Sequence, residues 1–208
     1  MLYLLWISGI AAFWVGALLA QINGYPVKIP VSIGAALLLA IGQGALIWRL
    51  RQSREFLGSA FLGFLPAYLG FYLQSQHWAS ELFVLGFLLS LASLNALLAQ
   101  RWEQEWKLFS IQEINPAPGG AGRGLIFTIV NILLIIGLLL IWYFPAAPLP
   151  GRGGAWVLAT AAVLNQELIK RKYYASYRGS IILAWMATAF LVGLSLWLLA
   201  ILYLRGVG

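Results

Sequence analysis

Leu125-Ile126-Phe127-Thr128-Ile129-Val130-Asn131-Ile132-Leu133-Leu134-Ile135-Ile136-Gly137-Leu138-Leu139-Leu140-Ile141-Trp142-Tyr143-Phe144 contains no charged side chain. It has the ~20-residue length that a helix needs to cross ~30 Å of hydrocarbon. Working outward, similar stretches predict helices from Leu2 to Ala20, Pro30 to Trp48, Phe56 to Leu73, Leu82 to Ala99, Leu125 to Phe144, Ala155 to Ile169 and Ile181 to Leu204. The expected fold is therefore all-α, a polytopic membrane helical bundle of about seven transmembrane helices within one domain, 1–208. The first span follows Met1 without a basic n-region or a small-residue cleavage site, so it reads as a retained helix rather than a signal peptide.

Composition agrees, because 62% hydrophobic residues with 9% charged ones leave too little polar surface to face water. The 208 residues contain no cysteine, which removes disulfides, thiolate metal sites and thiol nucleophiles. The single histidine, His77, excludes haem held between paired histidines. Pro26 and Pro30, Asn115 to Gly120, and Pro145 to Gly154 are read as connections, since proline and glycine interrupt helices. Trp48, Trp78, Tyr143 and Trp156 sit near span ends, where aromatic side chains anchor at the interface.

The basic residues set the expected orientation. Arg49, Arg51 and Arg54 fall in the second connection, Arg101, Lys107 and Arg123 in the fourth, and Lys170, Arg171, Lys172 and Arg178 in the sixth. Only Lys28, Arg152 and Arg205 lie elsewhere. By the positive-inside rule the even connections are cytoplasmic, which puts the N-terminus inside and the C-terminus outside. The expected location is a multi-pass position in a bacterial inner (cytoplasmic) membrane. The net charge of +7 follows from this bias and from anionic headgroups, so no nucleic-acid partner is expected.

Function inside a membrane is sought among polar side chains that are costly to bury. Gln43, Asn95 and Asn131 lie within spans, and Asn165, Gln166 and Glu167 close the sixth. Gln43 and Asn131 read as interhelical hydrogen bonds. Asn95 and Asn165 each precede a basic connection, in the strings Leu94-Asn95-Ala96-Leu97-Leu98-Ala99-Gln100-Arg101 and Leu164-Asn165-Gln166-Glu167-Leu168-Ile169-Lys170-Arg171.

The stretch Phe61 to Lys107, FLGFLPAYLGFYLQSQHWASELFVLGFLLSLASLNALLAQRWEQEWK, resembles the later half of the UbiA superfamily of intramembrane prenyltransferases. There, a helix with a proline and small residues precedes one ending in asparagine and then an Asp-rich loop. Ala155 to Leu204 resembles the family's closing helices, and Gly9 to Arg54 its opening pair. A nine-span family fold that has lost one hairpin would keep seven spans with the same orientation. The resemblance implies Mg²⁺-dependent transfer of a polyprenyl group from its diphosphate, with carboxylates holding the metal against the leaving group. It places Asn95 at the family's asparagine, the first aspartate position at Ala99 and the second at Glu103. Glu103 and Asn95 become the candidate catalytic residues and Glu103 with Glu55 the candidate metal ligands. Arg49, Arg51, Arg54, Lys170, Arg171 and Lys172 become the candidate diphosphate-binding residues.

The chain departs from this pattern, because its six acidic residues are all glutamates: Glu55, Glu81, Glu103, Glu105, Glu113 and Glu167. No aspartate is present. A solvated connection with its charges facing water is the favoured reading of Arg101 to Lys107 over a metal site. Three readings stay open. They are a diverged UbiA-like protein that binds, and in the enzymatic case transfers, a polyprenyl lipid; a non-catalytic subunit of a larger membrane complex; and a small transporter. Isoprenoid or other membrane lipids and further membrane subunits are the expected partners.

Overall fold

The computed structural model describes residues 2–49, 55–77, 80–112, 120–143 and 149–207. All regular structure among them is helical: α1 (Leu2–Ile22), α2 (Ile29–Arg49), α3 (Glu55–Leu62), α4 (Phe64–Ser75), α5 (Ser80–Gln112), α6 (Gly120–Tyr143), α7 (Leu149–Lys170) and α8 (Tyr177–Val207), with a 3-10 turn at Tyr173–Ala175. Four of these helices, α1, α5, α6 and α8, contain segments long and apolar enough to cross a membrane, as expected of an integral membrane protein.

The helices show the inside-out polarity that lipid demands. On α6, Leu125, Ile129, Ile132, Ile136 and Leu140 recur at helical spacing and are exposed, whereas Phe127, Val130, Asn131, Leu134 and Leu138 are buried. The one polar side chain in that series faces protein, not lipid.

Two rings of helices share one side. The first ring passes from α1 to the α3–α4 pair, then to α5, α8 and back to α1. The second runs through α5, α6, α7 and α8. Helix α2 packs outside the first ring, against α1 and the α3–α4 pair. The tightest crossing is that of α1 with α4. A Cβ on Gly16 would strike the Ala67 carbonyl, and one on Gly70 the Phe13 carbonyl. Without a hydrophobic driving force between helices in lipid, such small residues let backbones approach and gain van der Waals contact. α1 then ends in a Schellman motif: Tyr25 N–H bonds to the Ala20 carbonyl and Gly24 N–H to that of Gln21, both at 3.0 Å. The motif needs a left-handed residue at Gly24, whose φ is +85°.

Several boundaries differ from the sequence reading, and three of them have a clear local reason. The Phe56 to Leu73 span is two helices, because Pro66 has no N–H to continue the ladder and its ring excludes the carbonyl four residues back, at Leu62. Arg101 to Lys107 is not a loop but part of α5, whose 33 residues extend about 50 Å, well past a ~30 Å hydrocarbon layer. Pairs at i,i+4, Arg101–Glu105 at 3.3 Å and Glu103–Lys107 at 2.7 Å, support that extension. α7 begins at Leu149 instead of Ala155, since Pro150 occupies the first turn, where its missing N–H costs nothing.

Candidate functional site

The break between α3 and α4 frees backbone groups that neighbouring helices must satisfy. The Phe64 N–H donates to Ser90 Oγ of α5 at 2.9 Å. From the other side, Gln43 Nε2 of α2 donates to the Phe61 carbonyl at 3.1 Å. Gly9 of α1 makes room for this, because a Cβ there would meet the Gln43 amide. Gly63 does the same toward α5, where a Cβ would fall on the backbone at Leu89 and Ser90.

Helix α2 is tied to the α3–α4 pair a second time at the opposite end. Gln74 accepts from the Lys28 N–H at 2.8 Å and donates to Ser32 Oγ at 2.8 Å. Ser32 and Gln43 are separated by about 16 Å of helix rise. Between these two ties α2 is held to α1, where Trp6 Nε1 donates to the Ala40 carbonyl at 2.6 Å, and a cleft of about 690 Å³ lies between α2 and the α3–α4 pair. Its walls include Phe13, Leu39, Gly42, Leu65, Pro66, Leu69 and Leu73. Leu38, Phe61 and Leu69 on the lining are exposed, so the cleft opens sideways out of the bundle. Among the described residues no charged side chain lines it, and its polar side chains are those of Gln43 and Tyr68. Gln43 is buried, and its Oε1 has no hydrogen-bond partner among the described residues.

The residues singled out from the resemblance lie elsewhere. Asn95 is buried inside the second ring, where its Nδ2 donates to Asn131 Oδ1 of α6 at 2.7 Å. Asn131 and Thr128 are three apart and share a face of α6, and Gln166 of α7 donates to Thr128 Oγ1 at 3.2 Å. Gln100 of α5 donates to Thr188 Oγ1 of α8 at 3.3 Å. These bonds form a polar layer joining α5, α6, α7 and α8, with Asn165 buried beside Gln166.

Glu103 pairs with Lys107, and its side chain is 12% exposed. Glu105 faces another way and receives both Arg101 and Arg123, the latter at 2.5 Å. Trp102, between Arg101 and Glu103 in sequence, is fully buried and stacked on Tyr174 with centroids 5.1 Å apart, while Trp106 Nε1 donates to the Tyr174 carbonyl at 2.9 Å. Lys170 and Lys172 are exposed around the end of α7, and Arg171 pairs with Glu167 at 3.1 Å. Arg49 closes α2 and Glu55 opens α3, while Arg51 and Arg54 lie outside the described residues.

Of the two carboxylates that the resemblance offers to a metal, the side chain of Glu55 lies outside the described residues. Glu103, Glu105 and Glu167 are each engaged by a cationic side chain, and among the described residues no three His, Asp or Glu side chains come together. Nor does the cleft contain Asn95 or Glu103.

Sequence reasoning placed Gln43 as an interhelical bond and passed over the cleft beside it. The available signal was Gly63 with Pro66 in the middle of an apolar run, since interrupted membrane helices mark binding sites in many transporters. Comparison with known proteins adds no relative: no protein-family model matches the chain, and neither a curated protein nor a solved structure does.

Proposed function

We propose that the chain is an integral protein of a bacterial cytoplasmic membrane that binds a linear apolar lipid, an isoprenoid or a chain like it, in the cleft between α2 and the broken α3–α4 helix. The observation that carries this reading is the cleft itself. Its volume falls in the ~300–1,000 Å³ range of small-molecule sites, its described walls are apolar apart from Gln43 and Tyr68, and it opens toward the lipid-facing side of the bundle. The resemblance to the UbiA superfamily points to the same ligand class, a polyprenyl chain. We propose binding without transfer, because the described carboxylates that a diphosphate-releasing reaction would use are already paired with cations.

Gly42 provides the test. It lines the cleft, and a Cβ there meets nothing within 4 Å, so Gly42→Trp puts an indole into the cavity without an initial clash. Lipid extracted from purified wild-type protein and analysed by mass spectrometry should contain one enriched apolar species near stoichiometric amount. In Gly42→Trp that species should fall at least about tenfold, the equivalent of ~1.4 kcal/mol. Equal recovery from both proteins would remove the cleft as its site.

The membrane arrangement belongs to the same proposal. α3 and α4 together act as one interrupted span, giving seven spans with the N-terminus inside, and α2 and α7 cross despite their polar termini. The chain contains no cysteine, so single cysteines report topology against a silent background. Lys172→Cys and Lys28→Cys both replace exposed residues. A membrane-impermeant maleimide should label position 172 only in inside-out vesicles and position 28 only in right-side-out ones. Labelling of both from one side would overturn the odd number of spans between them.

A further inference from the structure

The connection between α7 and α8 is pinned on one side and charged on the other. Its Tyr174 ring stacks on Trp102, and the Tyr174 carbonyl accepts from Trp106 Nε1, both of α5. The chain turns at Lys172, whose φ is +55°. The Ala175 N–H then bonds to the Lys172 carbonyl at 2.8 Å, and Ser176 Oγ accepts from the Gly179 N–H at 3.1 Å. Around this ordered turn Lys170, Arg171, Lys172 and Arg178 are exposed. We infer that the connection binds the headgroup of an anionic glycerophospholipid, at a site separate from the cleft; this rests on α5 and α8 crossing the membrane.

Charge, depth and neighbours all favour that occupant. From Glu167 to Arg178 the chain carries four cations against one carboxylate, and that carboxylate pairs with Arg171. Glu113, the one acidic residue of the stretch 113–119, would offset one more at most, so at least two cations stay in excess. The apolar segment of α5 ends at Leu108 and that of α8 begins at Tyr177, which sets the connection at the edge of the hydrocarbon, where lipid phosphates lie. Tyr177 is itself exposed there, as aromatic side chains at headgroup depth commonly are. Within about 11 Å of helix rise, Val163 and Leu164 of α7 and Ile182 and Trp185 of α8 are exposed. A glycerophospholipid uses both features, its phosphate receiving charge-assisted hydrogen bonds and its chains covering the apolar positions. A soluble anion would use only the first. The assignment holds for either leaflet, so it is independent of which way the chain faces.

Full-length protein in nanodiscs of equal phosphatidylglycerol and phosphatidylcholine, released and weighed by native mass spectrometry, tests the site. The protein should retain phosphatidylglycerol over phosphatidylcholine by at least about fivefold, the effect of roughly one cation near an anionic lipid. Lys170→Gln with Lys172→Gln and Arg178→Gln should bring the two lipids to equal retention. Lys28→Gln with Arg152→Gln and Arg205→Gln removes the same charge elsewhere on the chain and should leave the preference unchanged, as should Gly42→Trp. In wild-type protein about 1 M salt should abolish the preference, because it shortens electrostatic reach to ~3 Å; this arm stands by itself if the first triple variant fails to fold. Inorganic diphosphate should not displace the retained lipid. Equal retention by wild-type protein, a preference that survives the salt, or equal loss in both triple variants would overturn the assignment. Displacement by diphosphate would make the connection a soluble-anion site, and loss with Gly42→Trp would tie the lipid to the cleft; either result also overturns it. A chain that fails to enter nanodiscs would overturn the membrane reading as well.

Discussion

Gly16→Leu should destabilise the folded protein by about 3 kcal/mol, the upper part of the usual range for overpacking, measured as loss of helical signal during titration from mild detergent into dodecyl sulfate. A new Cβ at position 16 lands on the Ala67 carbonyl, and its second neighbour is the backbone nitrogen of Phe71. Neither can move aside by changing a rotamer. Relief requires α1 and α4 to separate along their length, which also withdraws Gly70 from Phe13 and Ala17 on the same face. Gly34→Leu is the matched control, since nothing lies within 4 Å of a Cβ there and the neighbouring Ile33 is exposed. Its effect should stay within ~0.5 kcal/mol, as for other exposed positions. Equal losses at positions 16 and 34 would mean that α1 and α4 do not pack through their glycines.

Asn131→Leu should cost about 2 kcal/mol in the same titration. The substitution removes the 2.7 Å bond from Asn95 and leaves the Asn95 amide buried with no protein partner for either of its polar atoms, as its Oδ1 has none already. Hydrogen bonds between membrane helices contribute about 1 kcal/mol on average, and stranding a buried polar group adds to the loss. The informative variant is the double one. Asn95→Leu with Asn131→Leu should be less destabilised than the sum of the singles by about 1 kcal/mol, because no amide is left stranded. Additive losses would show that the two amides act separately. That result would free Asn95 for the role that the resemblance gives it.

The lipid-facing fold was legible where one property dominated. The helix over Leu125 to Phe144 and the interhelical bond of Asn131 were expected from apolar length and a polar residue within it, while the exposed stripe of α6 emerged only from the packing. Asn131 does bond to another helix, as read. Local chemistry that needs a partner was less visible. Gln43 was read as a bond between helices and does bond to α3, but its acceptor is a main-chain carbonyl near the break between α3 and α4, 18 residues away in sequence, which no pattern within α2 announces. Arg101 to Lys107 looked like a solvated connection because its charges are dense. They are dense because two i,i+4 pairs and the bridge to Arg123 are built from them. The start of α7 was hidden by Pro150, Gly151, Gly153 and Gly154, residues that interrupt a helix interior yet are tolerated at its first turns. Gly154 has a packing reason as well, because a Cβ there would meet the indole of Trp197 on α8.

The candidate site was missed for a related reason. Titratable residues attracted attention, and in this structure Glu103 pairs within α5, Glu167 pairs across the end of α7 and Glu105 bridges α5 to α6. The cleft, by contrast, is made of leucine, phenylalanine and glycine, the same residues that fill every other span. Its distinguishing marks are a missing side chain at Gly42, a broken helix and one amide. Each becomes meaningful only when α2 and the α3–α4 pair are set side by side.

Photo-crosslinking tests the lipid site most directly. A geranylgeraniol analogue carrying a diazirine on its chain, irradiated with the protein in nanodiscs and mapped by peptide mass spectrometry, should modify residues 35–43 and 61–73, with Gly42→Trp suppressing both sets of adducts. Adducts spread over exposed apolar positions such as Ile129, Ile132 and Ile136 of α6, and unchanged by Gly42→Trp, would contradict a lipid site in the cleft.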